Sequence, residues 1–152
     1  MSEPAPRLVV SACLLGRACR YDGASRHAPP VQRLVDGWAG EVVAVCPEEL
    51  GALGTPRPAA TLRGGAGAAV LAGEAGVVRV ADGADLTGAF VSGAEQAGAL
   101  AEGAALAVLK ARSPSCGCGE TSVDGALAPG DGVFAALLRS RGVRLLTDEQ
   151  VP

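Results

Sequence analysis

Aromatic side chains make up only 3% of this 152-residue chain, and there is a single histidine, His27. The scarcity of aromatics removes the stacking platform on which single-strand nucleic-acid binders rely. With one histidine, any Ser-His-Asp or Cys-His arrangement would rest on His27 alone. A metal site with several ligands must therefore be built from cysteine and carboxylate. Basic runs are also missing, and the net charge is −3. Tight binding to nucleic acid depends on Lys and Arg neutralising phosphates, so no stable nucleic-acid complex is expected. No apolar stretch reaches the ~20 residues of a membrane-spanning helix, which argues against a membrane partner. Residues 1–7 are too polar and short to read as a signal peptide, and the expected compartment is the cytoplasm. There is no Gly-x-Gly-x-x-Gly after the first strand-like run, which disfavours a dinucleotide site. There is no C-x-x-C either, which disfavours a zinc ribbon.

What the chain does have is 49% hydrophobic residues, chiefly Val, Leu and Ala, together with 22 glycines, 10 prolines and five cysteines. In a reducing compartment, five cysteines read as metal ligands or reactive thiols rather than as disulfides. Three of them stand just past apolar, strand-like runs. Leu8-Val9-Val10-Ser11-Ala12 leads to Cys13, and Val42-Val43-Ala44-Val45 leads to Cys46. Leu106-Ala107-Val108-Leu109 leads through a short turn to Cys116. If these runs are parallel strands of one sheet, the three thiols gather at its carboxyl edge, where open α/β sheets bind ligands. Three convergent thiols suggest a metal or cluster site with one open position. Cys19 and Cys118 read as spare thiols near that site, although Cys116-Gly117-Cys118 could also chelate a metal or form a redox pair.

The order of elements supports the arrangement. Strands are expected at 7–12, 41–45, 105–109 and 143–146. Helices are expected over 31–35, after Asp85 as an N-cap, and over 133–141 with Asp131 as cap and Gly142 as terminator. Val77-Val78-Arg79-Val80 reads as a short strand in an antiparallel excursion, with Val70-Leu71 as a candidate partner. Thr147 and Gln150 resemble a capping box. Residues 47–76 and 110–130 read as long functional loops. Such alternation predicts a single α/β domain over residues 7–150. Its form is a three-layer sandwich around a mostly parallel, Rossmann-like sheet with a small antiparallel excursion.

The loops carry the remaining chemistry. Glu48, two residues past Cys46, suits a general acid or base. Ser113 and Ser115 flank a stiffening proline, and their hydroxyls suit a carbonyl or anionic ligand. Arg20 and Arg57, held among Gly and Pro, suit a carboxylate, a phosphate or a planar base. Pro129-Gly130-Asp131-Gly132 brings backbone N–H groups to a helix start, a ready anion site.

Six ordered motifs resemble a known family. They are Ser11-Ala12-Cys13-Leu14-Leu15-Gly16, Arg20-Tyr21-Asp22-Gly23, Cys46-Pro47-Glu48, Thr55-Pro56-Arg57-Pro58, Lys110 with Ser113-Pro114-Ser115-Cys116-Gly117, and Pro129-Gly130-Asp131-Gly132. Together they resemble the thiouracil desulfurases, small bacterial proteins, over nearly the whole chain. The resemblance implies a [4Fe–4S] cluster held by Cys13, Cys46 and Cys116, with Glu48 as catalytic acid and Ser113 as catalytic serine. Ser11, Arg20, Arg57 and Ser115 would contact a small thiolated nucleobase or nucleotide, whose C=S becomes C=O with release of sulfide. The other reading of the same thiols is a non-catalytic iron–sulfur or thiol-based sensor or redox protein. Two features depart from the family pattern. Ala59-Ala60-Thr61 follows the Pro-Arg-Pro segment where an acid often stands, and Cys19 and Cys118 are additional thiols.

Overall fold

The computed structural model describes residues 6–24 and 27–152. Two four-stranded sheets organise the chain. The first contains β1 (Arg7–Ser11), β2 (Val42–Val45), β5 (Ala104–Leu109) and β8 (Arg144–Thr147) in the order β2-β1-β5-β8, and every pairing in it is parallel. Its register aligns Ser11 with Val45 and Val10 with Val108, so β1, β2 and β5 end at one level. Parallel strands need crossovers, and α1 (Pro29–Asp36), α4 (Thr87–Leu100) and α5 (Val133–Ser140) lie in the connections.

Side-chain alternation along the strands separates two apolar layers. Leu8, Val10 and Val108 face one side, where Val31 of α1 covers them. Val9, Ala107 and Leu109 face the other, against Phe90, Ala94 and Ala97 of α4 and Phe134 and Leu138 of α5. With few aromatics, small residues set the spacing. Gly93 brings α4 against the short helix α2 (Pro47–Leu50): a Cβ at Gly93 would stand 2.0 Å from the Pro47 carbonyl oxygen.

The second sheet is β4-β3-β6-β7, built from β3 (Ala60–Arg63), β4 (Gly76–Arg79), β6 (Glu120–Val123) and β7 (Ala126–Pro129). Here the expectation of a small excursion is exceeded. The segments read as loops, 47–76 and 110–130, contain α2, β3, α3 (Gly67–Leu71) and the β6–β7 hairpin. Their strands are only four residues long, and alternation over four residues gives little periodic signal. Val70 and Leu71 lie in α3, and the antiparallel partner of β4 is β3. Asp85 accepts the Thr87 N–H, but α4 starts one residue later than an Asp85 cap would set it, with Leu86 at the cap position. The capping box of Thr147 and Gln150 is present.

Candidate functional site

At the carboxyl edge of the parallel sheet lies a cavity of about 380 Å³. β1 is flanked by β2 and β5, and the chain leaving each of these neighbouring strands supplies one wall. After β1 the chain tightens into a 3₁₀ turn, Ala12–Leu15, which Gly16 ends with φ +96°. Cys13 lies in this turn. After β2, Cys46 is the extended residue preceding α2, and Pro47 opens that helix, where a missing N–H costs nothing. After β5, the loop through Ser113 carries Cys116. Cys13, Cys46 and Cys116 all line the cavity. Cys19 lines it as well, with its ligand atom within 4.8 Å of those of Cys46 and Glu49. Cys19, expected as a spare thiol near the site, is thus part of its wall. The available signal was its place on the same loop as Cys13, six residues on.

The thiols share one electrostatic situation. The Cys13 thiol beside it, aided by burial and opposed by Cys46, pushes Cys19 up to about 11. Cys46 is raised by its contact with Cys19 and by burial. Cys116 is pushed up to about 12 by burial, against a lowering hydrogen bond with Ser11. Buried sulfurs this close cannot all ionise unless something positive joins them.

Glu48 stands in the first turn of α2 and lines the same cavity. Arg57 Nε donates to Glu48 Oε1 at 3.0 Å, and Ser115 Oγ donates to Glu48 Oε2 at 3.2 Å. Each carboxylate oxygen keeps a second lone pair. Arg57 reaches the cavity wall, but its fork is largely committed. Besides Glu48, it donates to the carbonyls of Gly54 and Cys19 and to Thr55 Oγ1. Four of its five N–H donors are thus spent on the protein, so it positions Glu48 and the Cys19 loop rather than waiting for a ligand.

Ser113 is arranged in the opposite sense. Its Oγ accepts the N–H groups of Ser115 at 3.1 Å and Cys116 at 3.0 Å. With both lone pairs engaged, the hydroxyl has only its proton left to give. The loop that holds it is over-determined. Arg112 just before it adopts φ +63°, and its side chain pairs with both oxygens of Glu149 at 2.7 and 2.8 Å. The first N–H groups of α5 serve the same loop: Val133 and Ala135 donate to the carbonyls of Pro114 and Ser115. This overturns the expected anion site at Pro129-Gly130-Asp131-Gly132, because the N–H groups of Gly132, Val133 and Ala135 are already engaged with the carbonyls of Gly117, Pro114 and Ser115. Asp131 does not cap the helix; it accepts the Gly119 N–H and pairs with Arg139.

Of the other expected site residues, Ser11 lines the cavity, accepts the Lys110 N–H at 3.0 Å and sits beside the Cys116 sulfur. Arg20 lines it too, paired with Asp22 at 3.5 Å and lying against the Tyr21 ring. Ser115 is not on the wall: it is buried behind Glu48, which it holds. Cys118 is turned toward Arg139, away from Cys116, so the C-x-C does not act as a chelating or redox pair. Lys110 and Tyr21 complete the rim.

Several buried thiols, one clamped carboxylate and one donor hydroxyl on a single cavity define a thiol-lined α/β site of the kind that takes soft metals or metal–sulfur clusters. The chain belongs to the 2-thiouracil desulfurase family, whose model matches residues 8–150. It is 38% identical over 149 residues to the uncharacterized protein YbbK of Bacillus subtilis (strain 168), covering 95% of this chain and 97% of that one. Its fold matches the solved structure of the [4Fe-4S]-dependent thiouracil desulfidase TudS. The TM-score is 0.79 and the identity 37%, over 97% of this chain and 93% of the other. Among the described residues no helix is long and apolar enough to cross a membrane.

Proposed function

We propose that the protein removes sulfur from thiouracil or a thiolated pyrimidine nucleotide, with water converting C=S to C=O and sulfide leaving. The observation that carries this reading is that Glu48 and Ser113 share one cavity with the thiols of Cys13, Cys46 and Cys116. The donor set fits a [4Fe–4S] cluster: it is all-sulfur, buried at Cys13 and Cys116 and half-buried at Cys46, and drawn from the chain that follows three neighbouring strands. Cys13, Cys46 and Cys116 would hold the cluster, leaving one iron without a protein ligand from these three. Bound there, the cluster supplies a soft Lewis acid with affinity for the substrate's sulfur.

The chain's own groups account for the rest. Glu48, fixed through Arg57 and Ser115, takes a proton from the attacking water. Ser113 donates to the pyrimidine ring, stabilising the negative charge that develops as water adds. The two backbone N–H groups that donate to the Ser113 oxygen make its hydroxyl a stronger hydrogen-bond donor. Oxidation states do not change overall, so no nicotinamide or flavin is needed. Lys110 lies on the rim with no ion pair to any described side chain, which suits a substrate carrying phosphate. Free thiols in such a site suit the cytoplasm.

The test is anaerobic reconstitution with iron and sulfide, followed by assay of sulfide release from 2-thiouracil and 4-thiouridine monophosphate. Release that disappears in Cys13→Ala, Cys46→Ala, Cys116→Ala and Glu48→Gln supports the enzyme. A cluster that forms yet turns over neither compound would favour a sensor instead. Failure to take up iron would overturn both.

A further inference from the structure

Cys19 is a buried thiol that the reading above does not use. It is 2% exposed, lines the cavity and sits against the thiols of Cys13 and Cys46. Its ligand atom is within 4.8 Å of that of Cys46. Its attachment differs from that of the other three. Cys13 and Cys46 stand within two residues of the ends of β1 and β2, and Cys116 sits in a loop tied down by the Cys116 and Gly117 N–H groups donating to Ser113 and by the Ala135 N–H donating to the Ser115 carbonyl, whereas Cys19 lies in the irregular chain between the 3₁₀ turn and α1. That chain is held at Cys19 by a few contacts. The Cys19 carbonyl accepts from Arg57 Nη2 at 3.0 Å and from the Cys46 thiol at 3.6 Å, and the Cys19 N–H donates to the Arg17 carbonyl.

We propose that Cys19 supplies a fourth thiolate to the cluster, covering the iron that Cys13, Cys46 and Cys116 leave open until substrate displaces it. The inference rests on the cluster reading of this site. The displacement is a ligand exchange: the iron–Cys19 bond breaks as the bond to the thiocarbonyl sulfur forms, and Cys19 takes a proton from water. No electrons are transferred. A ligand on a loosely tied loop can leave in this way, whereas Cys13 and Cys46 beside their strand ends, and Cys116 in a loop tied to Ser113 and α5, cannot without breaking those contacts. The Cys19 ligand also protects the resting site, because an iron lacking a protein thiolate is the one lost first when a cubane cluster is oxidised.

The experiment compares reconstituted wild type with Cys19→Ala and Cys19→Ser under anaerobic titration with ferricyanide. The readouts are iron content and the electron paramagnetic resonance signal of the [3Fe–4S] form. The expected result is that an oxidant dose converting most of the Cys19→Ala cluster to the three-iron form leaves most of the wild-type cluster intact. The KM for 2-thiouracil should also fall in Cys19→Ala, because substrate no longer competes with a thiolate. Equal loss of the fourth iron from all three proteins would overturn the proposal while leaving the cluster reading intact. If the wild type takes up no iron and sulfide, the cluster reading itself fails.

Discussion

Arg57 Nε and Glu48 Oε1 stand 3.0 Å apart with side chains only 6% and 14% exposed. This is the most deeply buried ion pair among the described residues. A carboxylate without a partner at this depth would be costly, so Arg57 helps hold Glu48 at the cavity wall. Removing one partner of a buried pair typically costs about 3–5 kcal/mol, discounted here because Glu48 retains some water. Arg57→Ala should lower stability by about 2–3 kcal/mol in urea unfolding and reduce activity with it. Arg57→Lys keeps the charge but loses the fork that joins Glu48, Gly54, Thr55 and Cys19, and should recover part of the stability and little of the activity. A stability change within 0.5 kcal/mol for Arg57→Ala, of the order of an ordinary surface substitution, would contradict the assigned role.

The two serines of the Ser-Pro-Ser turn should separate in kinetics. Ser113→Ala removes the hydroxyl proton at the cavity and should lower kcat by about 10²–10⁴. It also leaves the N–H groups of Ser115 and Cys116 without an acceptor, at about 1–3 kcal/mol of stability. Ser115→Ala removes only a neutral donor behind Glu48. It should cost about 1 kcal/mol, with a smaller fall in kcat. Equal losses in the two variants would argue against the division of roles.

Glu48 is carried by α2, and α2 is placed by glycine. A methyl at Gly93 would meet the Pro47 carbonyl oxygen at 2.0 Å, and one at Gly51 the Ala89 carbonyl oxygen at 2.2 Å. Both obstacles are backbone, so relief requires the helices to part. Gly93→Ala should destabilise by about 1–3 kcal/mol or more and reduce turnover beyond what lost stability explains. Thermal melts and kcat measured on the folded fraction would check this.

The buried thiols give the metal-free protein an alkaline limit. Their folded values are raised above the ordinary 9.0: Cys19 to about 11, Cys116 to about 12, and Cys46 in the same direction. Between 9 and those values the folded chain binds more protons than the unfolded chain, so stability falls as pH rises. Their contribution is flat below about pH 8 and declines from pH 9 upward. Urea midpoints across pH 7–10.5 should show the decline, reduced in Cys19→Ala. Alkylation of Cys19 should be slow near neutrality, because the thiolate is the reactive form.

Lys110 bears on the substrate. Its Nζ donates only to the Ala111 carbonyl among the described residues. Lys110→Ala should raise KM for 4-thiouridine monophosphate several-fold while leaving 2-thiouracil nearly unchanged. An equal effect on both compounds would assign Lys110 to the ring or the fold instead of the phosphate.

Much of this was legible along the chain. Val, Leu and Ala runs such as Leu8–Val10 and Leu106–Leu109 declare strands buried on both faces, and a parallel sheet turns strand-end residues into neighbours. Cys13, Cys46 and Cys116 could therefore be grouped before any coordinates. The second sheet was not legible, because β3 and β6 are four residues long and lie among glycines. Their pairing joins residues about sixty apart: Leu62 pairs with Val123, and Thr61 Oγ1 lies 2.7 Å from Ser122 Oγ.

The sequence by itself determined the donor chemistry: sulfur and carboxylate, with one histidine that does not reach the cavity wall. It also determined which side chains follow which strands. Tertiary structure decided what each polar group is left free to do. Arg57 and Ser115 carry the same chemistry as Arg20 and Ser113, yet the fold engages the first two with Glu48. It leaves the Ser113 proton at the cavity and swings Cys19 in beside the other thiols. Those assignments depend on which donors and acceptors are already satisfied, a property of three-dimensional neighbours that no local spacing encodes.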